Sequence, residues 1–109
     1  MIDDKMTAIK ERIQNAPSMS DENRQATLAL LEELQAELKS VDADQEKAES
    51  VASFTELGVN EGSRENPDPT LFSHAVEGMN KSVESFEESH PKLVRVINAI
   101  SNTLSNSGI

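Results

Sequence analysis

The sequence contains no cysteine, no tryptophan and no tyrosine. Without cysteine there is no disulfide, no thiolate nucleophile and no thiolate metal site, which agrees with a cytoplasmic protein. Aromatic residues are limited to Phe54, Phe72 and Phe86, so aliphatic side chains on helix faces must supply most of the apolar burial. Cations are scarce too: ten Lys and Arg stand against twenty Asp and Glu, a formal net charge of −10. A nucleic-acid phosphate backbone, bound through clustered Lys and Arg, is therefore not the expected partner. Anionic membranes are disfavoured for the same reason. No run approaches the roughly 20 apolar residues that span a bilayer. The start of the chain carries Asp3 and Asp4 where a signal peptide has its basic region,.

Catalytic signatures are missing as well. No serine lies in a Gly-x-Ser-x-Gly turn, and only His74 and His90 could serve as imidazole bases,. Gly58 and Gly62 are not followed by the Lys-Ser or Lys-Thr of a phosphate loop,. No catalytic or cofactor-binding residue is assigned, no cofactor is expected, and the expected function is non-enzymatic.

What is present is helical periodicity. At 109 residues the chain has the length of one domain, taken as 1–109, burying roughly two thirds of its unfolded surface when compact. Ile2, Met6, Ile9 and Ile13 recur at i, i+4, i+7 and i+11, one face of a helix that Pro17 ends near Asn15,. Ser20 is placed to cap a second helix, with Asp21 and Glu22 at the positive end of its dipole,. Leu28, Leu31, Leu34 or Gln35, Leu38 and Val41 give that helix heptad-like, coiled-coil spacing,.

From Ser40 to Leu57 two patterns compete. Ala48, Val51 or Ala52, and Thr55 prolong the second helix with a small-residue stripe through Asp42; Val51, Phe54 and Leu57 describe a separate short helix with a different face. In either version Gly58 is the expected end. The Gly, Asn and Pro content of 58–69 predicts a mobile connection there,. A further helix starts at Pro69 or Thr70, with Phe72, Val76, Met79, Val83 and Phe86 as its stripe and Glu77 and Lys81 as an i, i+4 pair,. Pro91 forces a kink or new start, with Ser89 or His90 as cap. The last helix carries Leu93, Ile97, Ile100 and Leu104, broadened by Val94 and Val96, and Gly108 with Ile109 is placed to close it,.

Two charge contrasts bear on partners. Ser20–Ser50 holds Asp21, Glu22, Glu32, Glu33, Glu37, Asp42, Asp44, Glu46 and Glu49 against Arg24, Lys39 and Lys47. Ser89–Ile109 holds no acid, only Lys92 and Arg95, so it can lie on an acidic helix without repulsion,.

The run from Val83 to Leu93, with Phe86, Glu87, His90, Pro91 and Leu93 as an F-E-x-x-H-P-x-L core, and the ending Gly108-Ile109, resembles the bacterial domain-of-unknown-function family numbered 4404. Asp44–Thr55 is similar to the middle of the family's longer members. The resemblance implies a small helical bacterial protein and transfers no functional residue. Glu87 and His90 do form a Glu-x-x-His pair, which di-metal bundles use in two copies opposed by further glutamates. A single copy across the Pro91 break predicts a cap or hydrogen-bonding role for His90, and no metal ligand is assigned. His74 and Glu77 are read as surface residues.

The expectation is an all-α protein: amphipathic helices in a hairpin or small bundle, completed by homodimerisation or another homo-oligomer. It acts as an interaction or structural protein, with the last helix as the first place for a dimer or partner seam. An acidic regulator of a basic protein partner is the alternative, and a carboxylate and histidine metal bundle the weaker one.

Overall fold

The computed structural model describes residues 2–17, 19–41 and 44–106. Among them are five α-helices, α1 (Ile2–Gln14), α2 (Asp21–Lys39), α3 (Gln45–Gly62), α4 (Pro69–Ser82) and α5 (Pro91–Ser105), with a 3-10 turn at Glu84–Phe86 before α5. Strands are absent from the described residues.

Three of the helix starts have a local cause. The Ser20 hydroxyl accepts from the Asn23 N–H at 3.1 Å and starts α2. Asp44 does the same for α3 through the Lys47 N–H. Asp68 accepts from the N–H groups of Thr70 and Leu71, with Pro69 in the first turn of α4. Capping of this kind satisfies donors that have no partner inside the helix. At the end of α1 the chain uses a tertiary device. The Arg24 guanidinium donates to the carbonyls of Ile13 at 2.6 Å, Gln14 at 3.1 Å and Met19 at 3.0 Å. It thereby ties the end of α1 and the following turn to α2.

Successive helices reverse direction. Lys10 meets Glu32 and Gln35, and Asp3 meets Gln35 and Lys39, so α1 and α2 run antiparallel. Arg12 donates to the Ser63 hydroxyl at one end while Ile2 and Asp3 share a hollow with Gln45 and Glu49 at the other, so α1 and α3 run parallel. Lys92 approaches Glu37, and Leu30 lies across from Val96 and Ala99, so α5 returns along α2. The acid-free helix thus rests on the acidic one, an arrangement that its composition permits.

One apolar cluster draws on every helix, including Ile9 and Ile13 of α1, Leu31 and Leu38 of α2, Val51 and Val59 of α3, Phe72 and Met79 of α4, and Ile97 and Ile100 of α5. The stripes expected for the first and last helices are buried at all four positions each. The radius of gyration, 12.8 Å, is close to the ~13 Å of a globular chain of this length.

Three expectations are corrected. First, Gly58 does not end a helix: α3 runs through it to Gly62, and the connection is confined to 63–68. A Cβ on Gly58 would stand 2.5 Å from the Met79 sulfur, so the missing side chain is what lets α4 pack this closely. Packing here outweighs the roughly 1 kcal/mol that glycine loses to alanine in a helix. Second, the two patterns over Ser40–Leu57 combine. α2 stops at Lys39 and α3 is a separate helix, yet its buried face is the small-residue one, Ala48, Val51, Ala52 and Thr55. The continuation through Asp42 falls outside the described residues. Third, the stripe ending in Val83 and Phe86 crosses a break. Val83 caps α4 and Phe86 lies in the 3-10 turn, although both are buried. The closure at Gly108 and Ile109 also lies outside the described residues.

Candidate interaction face

Three of the buried hydroxyls are committed to backbone. Thr27 donates to the Asn23 carbonyl at 2.7 Å, Thr55 to Val51 at 2.8 Å and Ser101 to Ile97 at 3.0 Å. These i−4 bonds satisfy buried hydroxyls locally. Ser63 is held by the Arg12 guanidinium at 3.0 Å.

His90 occupies the cap position of α5 but makes no side-chain cap bond; its Nδ1 lies 2.9 Å from the Ser89 hydroxyl. Its ring stands edge-on to Phe86, with centroids 5.6 Å apart and an 83° interplanar angle. Of the cap or hydrogen-bonding role expected for His90, the structure shows the hydrogen bond, and adds packing against Phe86. Glu87 follows the 3-10 turn and is exposed. His74 and Glu77 are exposed and share a shallow hollow on α4 with Gly78 and Lys81. Among the described residues no three His, Asp or Glu side chains converge so as to hold a metal ion.

The distinctive surface lies elsewhere. Phe54 and Leu57 on α3 and Leu71 on α4 keep 39%, 47% and 47% of their surface in solvent. Other large apolar side chains of the bundle, among them Leu31, Leu38, Leu93 and Ile100, are wholly buried. At about 100° per residue, Leu57 lies opposite the buried Ala48 and Val59 on the α3 circumference. The Phe54 ring rests on Gly78, where an added Cβ would approach it to 2.6 Å. A shallow hollow lined by Ser53, Phe54, Glu56, Leu57 and Asn60 is thereby joined to the one over His74, Glu77, Gly78 and Lys81. Leu71 precedes His74 by one turn on the same side of α4. We term the surface that carries these residues the α3–α4 face.

The family model for the domain of unknown function DUF4404 matches residues 29–109. The chain belongs to the DUF4404 family. The matched region covers α3, α4, α5 and α2 from Ala29 onward, so it contains the whole α3–α4 face of this DUF4404 protein. No curated protein and no solved structure matches the chain.

The last helix, expected as the first place for a seam, turns its apolar stripe to the core and exposes Lys92, Arg95, Asn98 and Asn102. Leu93, Val96, Ile97, Ile100, Ser101 and Leu104 are all buried, and its groove with α2 carries Glu33, Lys92 and Arg95. The α3–α4 face was missed because Phe54 and Leu57 read as core in the competing stripe. Their exposure becomes legible only once the small-residue face is known to be the one that packs.

Proposed function

We propose that this DUF4404 protein is a non-enzymatic helical interaction protein that works by presenting the α3–α4 face to another protein surface. The observation that carries the reading is the exposure of Phe54, Leu57 and Leu71 together on two adjacent helices, while the stripes of α1 and α5 are buried. Large apolar side chains grouped on one side, rimmed by Ser53, Asn60 and Glu77, have the make-up of a docking surface. Committed hydroxyls and a His90 engaged with Ser89 and Phe86 accord with a structural role for these groups.

The test is recovery of complexes from the native cell by tagged protein. Wild-type protein should bring down a defined species, its own untagged copy counted among the candidates, and Leu57→Glu should lose it while keeping the same helical circular dichroism. Equal recovery by both, or recovery by neither, would overturn the reading.

A further inference from the structure

We infer that the occupant of the α3–α4 face is a second copy of this chain, docked about a twofold axis. The inference rests on the interaction reading above and adds the identity of the partner. Two observations favour it.

The first is charge. The chain carries a net −10, and two copies meeting on the exposed Asp21, Glu22, Glu32 and Glu33 of α2, or on Glu84, Glu87 and Glu88 before α5, would repel,. The two hollows of the α3–α4 face contain only Glu56, Glu77 and Lys81 as charged residues, with His74 beside them. The face is nearly balanced, so self-contact there meets the least opposition.

The second is self-complementarity. An isologous contact requires each feature to find its counterpart on the same patch. Here Leu57 and Leu71 project, while the surface over His74, Glu77, Gly78 and Lys81 is a shallow hollow. Lys81 and Glu77 stand one turn apart at 3.7 Å on α4. A twofold across that helix sets each lysine toward the other copy's glutamate. A strongly basic partner is better served by α2, and a strongly acidic one would face Glu56 and Glu77.

The patch is small beside the ~800 Å² that each partner of a standard interface covers. The apolar part is three half-exposed side chains, which predicts a reversible dimer dependent on concentration.

Sedimentation velocity of the purified chain over a range of concentrations tests this. Wild type should shift from monomer to dimer as concentration rises. Leu57→Glu should weaken the association at least tenfold with unchanged circular dichroism. Leu71→Glu should do the same from α4, and keeps the test valid if the α3 variant loses helicity. Gln25→Glu, which adds the same charge on α2, should dimerise as wild type does. A wild-type protein monomeric at every concentration, an assembly larger than a dimer, or a dimer indifferent to both leucine variants would overturn the inference. If the first result coincided with capture of a different species through Leu57, the interaction reading would stand and self-association alone would fall.

Discussion

The α-carbon of Gly78 lies so close to the Phe54 ring that a methyl group placed there would come within 2.6 Å of it. One turn away the same relationship recurs in the core, where a Cβ on Gly58 would meet the Met79 sulfur at 2.5 Å. The two contacts set the spacing of α3 and α4, and they differ in what can yield.

Gly58→Ala should therefore destabilise the protein by roughly 1–2 kcal/mol. Met79 is fully buried, and overpacking a closed site costs about 1–3 kcal/mol against the ~1 kcal/mol of helix propensity gained. Gly78→Ala should fall within about 1 kcal/mol of wild type, because the half-exposed Phe54 ring can swing outward. In a Phe54→Ala background the Gly78 substitution should become stabilising. Urea midpoints of the four proteins check the cycle.

Arg24→Ala should cost about 2 kcal/mol, since it strips three carbonyls at the end of α1 and the next turn of a charged donor,. Arg24→Lys should restore only part, because an ammonium cannot reproduce the fork. Amide exchange should accelerate over α1 and at Asn15, Ala16 and Met19 before it does in α5.

Asp3 supplies a pH dependence. The hydrogen bond from Gln35, reinforced by Lys39 and by the charge of Lys10, holds its carboxyl below the ordinary carboxylate value. With the folded value beneath the unfolded one, its contribution is complete above the unfolded value and disappears as pH falls through the folded one. The site is exposed, so the effect is small. Asp3→Asn should lessen the acid-side loss of stability and leave its alkaline side unchanged, as read from urea midpoints between neutral and acid pH.

Ile97→Asp or Ile100→Asp should abolish cooperative folding, because both positions are fully buried and either change places an unpaired charge in the core. Ile97→Val should cost only about 0.5–1.5 kcal/mol. Thermal unfolding followed by circular dichroism separates these outcomes.

Helices α1 and α5 were legible because each writes its buried face as one regular aliphatic stripe, and α1 stops where Pro17 requires. The Ser20 cap was legible for the same local reason. Helix α3 was legible only in part, since its packed face mixes Val51 and Val59 with Ala48, Ala52, Thr55 and Gly58, small residues whose pattern carries little hydropathy, whereas the larger Phe54 and Leu57 lie outside. The Arg24 clamp joins groups 5 to 11 positions apart, and no periodicity encodes it. The candidate face follows from these blind spots: it is defined by what small residues and glycines allow to pack.

The absence of cysteine makes a direct test of the dimer simple, because one introduced cysteine carries a spin label to a single place. Asn60→Cys labels the α3–α4 face and Gln25→Cys labels α2, both at exposed positions. Dipolar spectroscopy on concentrated protein should give a well-defined intermolecular distance at residue 60 that is shorter than the one at residue 25. A shorter distance at residue 25, or no intermolecular coupling at either position, would contradict docking of two copies through this face.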